Sequence, residues 1–123
     1  MDHKCFFKAF EKADGQLNDR YMQSVIAASI EANLKPSDIY GQHSLYICIE
    51  KLAELIQEIS KQLRNPSKCY DINIGMLEEM ADAQIALLYL KTIFEVHDEE
   101  FNKAINVKLD RVSEKLKKEG VYR

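Results

Sequence analysis

GMLEEMADAQIALLYLKTIF, residues 75–94, is apolar on almost every side but has three carboxylates near its beginning. Its apolar residues recur at spacings of three and four, which predicts one long and largely buried helix. The carboxylates belong to Glu78, Glu79 and Asp82. An ionised carboxylate removed from water costs several kcal/mol unless a cation or hydrogen-bond donors meet it. These acids therefore require a partner.

The same spacing continues through most of the chain, and no alternating run of β-branched residues predicts a strand. We therefore expect an all-α fold, an oligomeric helical bundle. Pro36 and Gly41 interrupt the helical pattern, and Asn73 and Asp98 are the expected N-caps of the last two helices. The five expected helices cover about residues 4–13, 19–33, 42–64, 73–96 and 99–118.

The length and composition of the chain limit its possible functions. With 123 residues it is expected to form a single domain, in which residues 1–40 are an N-terminal helical extension and residues 41–118 the core helices. The net charge of -3 argues against nucleic acid as a partner. No apolar run reaches the ~18 residues of a membrane span, and the beginning of the chain lacks a secretion signal. We expect a cytoplasmic protein without a membrane partner.

The acids of the fourth helix share one side of it. Glu78 and Glu79 lie within about 60° of Asp82 around a regular helix. Gln84 and Lys91 mark the solvent side, which lies nearly opposite. The three carboxylates are therefore expected to face the interior of the bundle or a cleft.

The third helix has a matching charged row, which consists of Glu50, Lys51, Glu54 and Glu58 and lies opposite a row of apolar residues. If the two acidic rows face each other, their oxygens form a cage suited to a hard cation such as Mg²⁺. The alternative is that lysines or arginines of a neighbouring helix or subunit neutralise the acids. The pattern alone leaves both interpretations open.

These two helices resemble a known family. IEKLAELIQEISKQLR, residues 49–64, followed after a polar loop by residues 77–94, is similar to the paired acidic helices of the MazG-like, all-α nucleoside triphosphate pyrophosphohydrolases. That family has Glu-x-x-Glu on one helix and Glu-x-x-Asp on the next, and Glu79 with Asp82 matches the second motif. The resemblance covers about residues 44–117.

A third motif of the family lies on the following helix. The family's Asn-x-Lys-x-x-Arg is matched by Asn106, Lys108 and Arg111. The resemblance implies that these three residues bind the substrate. An arginine in this position can hold a phosphate through two parallel hydrogen bonds.

The first motif departs from the family pattern at one position. Lys51 stands where the resemblance places the first glutamate, whereas Glu54 retains the second. Either Glu50 or Glu58, both within about 40° of Glu54 on a regular helix, takes over the missing ligand role, or the site is weakened or inactive.

The resemblance implies an enzyme that hydrolyses a nucleoside triphosphate to the monophosphate and pyrophosphate with Mg²⁺. The expected metal ligands are Glu54, Glu79, Asp82 and Glu50, and Glu58 or Glu50 would position or deprotonate the attacking water. The alternative is a degenerate, non-catalytic module that binds a nucleotide or a protein. Either form is expected to assemble as a homodimer or homotetramer, because amphipathic helices leave apolar faces to cover.

Overall fold

The computed structural model describes residues 3–13, 18–34, 42–65 and 74–121. Within these ranges the chain is helical and contains no strand, which confirms the predicted all-α class. The helices are α1 (His3–Lys12), α2 (Asp19–Ala32), α3 (Gln42–Arg64), α4 (Ile74–Ile93) and α5 (Asp98–Lys118). Over the same described residues, every helix is too short or too polar to cross a bilayer.

The chain divides into two compact units, Met1–Ile93 and Phe94–Arg123. In the first unit α3 and α4 form the most extensive helix pair. Both α1 and α2 pack against α4, so the described part of the expected N-terminal extension belongs to the same unit as the acidic helices. A hydrogen bond from the Tyr89 hydroxyl to the Ser29 hydroxyl, 2.6 Å long, joins α4 to α2.

Small side chains fill the contact between α3 and α4. Ser44 and Cys48 of α3 are buried, as are Ala83 and Ala86 of α4. The Cys48 thiol donates a hydrogen bond of 3.6 Å to the carbonyl oxygen of Ala86, and burial raises the pKa of this thiol. Because these residues are small, the two helices approach closely along the side that also holds the acids.

The outer face of α3 is an apolar row at heptad spacing, which we call the α3 row. Its members are Leu45, Ile49, Leu52, Ile56, Ile59 and Leu63. Several of them are strongly exposed; Ile56 is 63% and Leu63 73% accessible. The charged side of α3 therefore faces α4, while its most apolar side faces outward.

The second unit contains α5, none of whose residues is buried. The helix begins one residue earlier than expected. His97, rather than Asp98, is the N-cap, and the His97 backbone N–H donates a hydrogen bond of 3.3 Å to the Glu100 carboxylate. Asp98 instead occupies the first turn, where a negative charge interacts favourably with the helix dipole. The other expected cap, Asn73, lies outside the described residues.

Candidate metal centre

Glu79 is the most deeply placed acid of the described chain. Its side chain is on the inner face of α4, only 3% of the residue is exposed, and its Oε2 atom has no hydrogen-bond partner. Burial, hydrogen bonding to Glu54 and the nearby negative charges of Glu54, Asp82 and Glu78 together raise the pKa of Glu79 to about 7, and burial is the largest of these causes. In the absence of a cation this carboxyl group is partly protonated at neutral pH.

Glu79 belongs to a cluster of three carboxylates contributed by both helices. One oxygen each from Glu54 of α3 and from Glu79 and Asp82 of α4 lie within 4.8 Å of one another. The spacing of three residues between Glu79 and Asp82 puts both on one helix face. Glu54 approaches from the other helix, and its Oε2 atom is likewise buried without a hydrogen-bond partner. The predicted convergence of the two acidic rows is thus present at these three residues.

Lys51 directs its ammonium group towards this cluster. Its Nζ atom lies 3.8 Å from Glu54 Oε2 and 3.8 Å from Asp82 Oδ2, so it pairs with one acid on each helix. Both separations are longer than a hydrogen bond. Burial raises the pKa of Asp82, and the Lys51 ammonium opposes that rise. Lysines of a neighbouring helix were the alternative to a metal ion for neutralising these acids. The Lys51 ammonium neutralises part of the negative charge of the three carboxylates.

The cluster has the chemistry of a cation site. Buried oxygens without a hydrogen-bond partner are rare. Each one lowers the stability of the fold by about 1–3 kcal/mol, and by more when the group is charged. Here Glu54 and Glu79, two of the three clustered residues, each have such an atom. Carboxylate oxygens are the preferred ligands of hard divalent cations. Glu54, Glu79 and Asp82 could hold a metal ion.

The two remaining acids predicted for the site lie outside this three-residue cluster. Glu58, one turn beyond Glu54, forms an ion pair of 3.2 Å with Lys61 and is largely buried. Glu50, one turn before Glu54, is exposed. Both share the charged side of α3, but neither is one of the converging ligands.

The predicted substrate-binding residues lie in the second unit. Asn106, Lys108 and Arg111 are all on α5, and all three side chains are exposed. As exposed polar groups, the three residues are accessible to an anion.

A recess of about 200 Å³ lies between α3 and α4 beside the cluster. Lys51 and Asp82 form its charged end. The rest of the lining is largely apolar and consists of Ile47, Cys48, Ile85, Ala86 and Tyr89. Helical spacing could not identify these residues as a lining, since it does not distinguish them from ordinary core residues.

Comparison with known protein families, with curated proteins and with solved structures gave no significant match for this chain. The chemistry of the centre is therefore inferred from its own residues. These combine three convergent carboxylates, one ammonium and an adjoining apolar recess. A cation held by the carboxylates could bind an anionic group of a ligand, and the recess could accept an apolar group of the same ligand.

Proposed function

We propose that the chain is a Mg²⁺-dependent hydrolase that converts nucleoside triphosphates to monophosphates and pyrophosphate, as a MazG-like pyrophosphohydrolase. The observation that carries this proposal is the convergence of Glu54, Glu79 and Asp82 with two buried oxygens that lack partners. These are the positions that the resemblance to the family assigns to metal ligands. Mg²⁺ takes oxygen ligands and commonly binds through a few carboxylates together with substrate phosphates.

Each group of residues has a proposed task in this reaction. Glu54, Glu79 and Asp82 hold Mg²⁺, which when bound neutralises phosphate charge and lowers the pKa of a coordinated water. Glu58 is close to the cluster along α3 and is shielded from solvent, which suits a residue that positions the attacking water. Glu50 is the second candidate for that task. The resemblance alone supports phosphate binding by the α5 residues.

The recess between α3 and α4 supports a substrate with an apolar portion. Its largely apolar walls begin next to Asp82, so a group bound there would lie beside the metal ligands. A nucleotide has this combination, with a base or sugar at one end and phosphates at the other. We propose that the recess accepts part of the nucleoside.

A second candidate function is a binding module that retains the fold without turnover. The contacts of Lys51 favour it, because the ammonium lies 3.8 Å from two of the three proposed metal ligands. A cation in that position offsets part of the negative charge that would otherwise attract metal. Such a module would bind a nucleotide or a protein.

Pyrophosphate release separates the two functions. Canonical and modified nucleoside triphosphates are incubated with the full chain and Mg²⁺, with and without a chelator. We expect release that stops with the chelator and falls at least a hundredfold, about 2.7 kcal/mol in activation free energy, in Asp82→Asn. Asp19→Asn, the same substitution at an exposed site on α2, serves as the matched control and should leave the rate unchanged. Absence of release with every substrate would favour the binding module.

A further inference from the structure

Lys51 links the two acidic helices through its ammonium group. The group is equidistant, at 3.8 Å, from a carboxylate oxygen of Glu54 on its own helix and one of Asp82 on α4. Its side chain is 34% exposed. A lysine with that exposure can extend its amine into solvent, where hydration favours it. Here the amine instead points to the carboxylates.

The charges of the cluster determine how many ions it can accept. When a metal ion displaces the proton of Glu79, the three converging carboxylates carry three negative charges, and the Lys51 ammonium offsets one of them. One divalent cation neutralises the remaining two. A second divalent cation would leave an excess of positive charge in a partly buried site, where charges interact more strongly than in water.

The unsatisfied atoms also indicate one ion. Lys51 is too distant to hydrogen-bond the Glu54 oxygen that it faces, so Glu54 Oε2 and Glu79 Oε2 both remain without partners. Glu79 is 3% exposed, and one of its carboxylate oxygens lies within 4.8 Å of an oxygen of Glu54 and an oxygen of Asp82. These three oxygens define one ligand set, with Lys51 along one side of it.

We propose that Lys51 is a built-in cation that takes the place of a second metal ion, so that the centre binds a single divalent cation per chain. This inference rests on the proposed metal centre and adds its stoichiometry. It also gives Lys51 a task other than blocking a ligand position. Replacement of this ammonium by a carboxylate should then create room and charge for a second ion.

Titration of the full chain with Mn²⁺, followed by the electron paramagnetic resonance signal of the free ion, counts the sites directly. We expect one Mn²⁺ per wild-type chain, displaced by excess Mg²⁺ and lost in Asp82→Asn. Lys51→Glu is expected to bind two. Lys8→Glu makes the same charge change at an exposed position of α1, and should bind one.

The possible outcomes separate this inference from the proposed function. Two Mn²⁺ ions on the wild-type chain would overturn the single-ion centre while leaving a metal-dependent enzyme in place. No bound Mn²⁺ on the wild-type chain would overturn the metal centre itself. A single ion on Lys51→Glu that retains the wild-type circular dichroism spectrum would reject the substitution of Lys51 for a metal. The number of Mn²⁺ ions bound by the wild-type chain tests the single-ion centre even if the Lys51→Glu variant does not fold.

Discussion

Glu79 couples the stability of the protein to pH. Its pKa of about 7 lies above the ordinary value of 4.5, so the folded chain retains a proton that the unfolded chain releases. Between pH 4.5 and about pH 7 the unfolded state binds fewer protons than the folded state. The metal-free protein therefore loses stability as the pH rises through this range. The loss should be at most about 1.4 kcal/mol per pH unit from this residue.

Urea unfolding in the presence of a chelator, at pH values between 4.5 and 7, measures this dependence. Glu79→Gln removes the ionisable group and should flatten the decline. Glu11→Gln, at an exposed position of α1, is the matched control and should follow the wild type. Parallel profiles for wild type and Glu79→Gln would contradict the assigned burial of this carboxyl group.

At the scale of single residues the sequence predicted all three residues of the cluster, Glu54, Glu79 and Asp82. Glu79 and Asp82 are three residues apart on α4 and lie nearly opposite its expected solvent side, so both could be expected to face inward. The contact between Lys51 and Asp82 was not predictable, because it depends on the axial alignment of α3 and α4. Cys48 contacts Ala86 across the same two helices, and helical periodicity does not specify such a contact.

At the scale of elements, the close approach of α3 and α4 holds the cluster together. Ala86 is 4% exposed and lies where α4 meets Cys48 of α3, so the added atoms of a larger side chain must separate the helices or enter the adjoining recess. Ala86→Leu should destabilise the fold by about 1–3 kcal/mol through overpacking and should weaken Mn²⁺ binding by separating the helices.

The urea midpoint and the Mn²⁺ dissociation constant test this prediction together. Gln84→Leu adds an aliphatic side chain to an exposed position of the same helix, and should change neither quantity by much. If Ala86→Leu binds Mn²⁺ as tightly as the wild type, the spacing of the two helices does not control the centre.

Helix positions were largely predictable because the periodic pattern is strong in every segment. The end of α4 was not, since the helix stops at Ile93 rather than near 96. Glu95 has a φ of 54°, a left-handed conformation that ends the helical path despite an unremarkable local sequence. The predicted N-cap of α5 was also displaced by one residue. Asp98 is a common N-cap residue type, but the adjacent His97 occupies that position.

At the scale of the whole molecule, the α3 row is the clearest sign of assembly. Ile49 and Ile56 occupy one heptad position and Leu45 and Leu52 the other, an arrangement that favours two-stranded helix pairing, whereas Leu63 and Ile59 reverse it at the end of the row. We propose that a second copy of the chain covers this row in a homodimer, and that a homotetramer would need a further contact. Sequence patterning located the row, but its exposure depends on which side of α3 meets α4.

Sedimentation velocity tests this assembly. Ile56→Glu places a charge at the centre of the row and should convert the wild-type oligomer to monomer. Gln57→Glu introduces the same side chain at the next position, which is exposed but outside the row, and should remain associated. A wild-type chain that sediments as a monomer would reject the proposal, as would an Ile56→Glu variant that associates normally.

The central claim is that Glu54, Glu79 and Asp82 hold one divalent cation between α3 and α4. Anomalous diffraction from crystals grown with Mn²⁺ tests it most directly, because the manganese signal locates the ion among its ligands. We expect one anomalous peak per chain, bounded by those three carboxylates and with the Lys51 ammonium beside it. Crystals without a peak at the cluster, in which Lys51 remains the sole cation near Glu54 and Asp82, would contradict it.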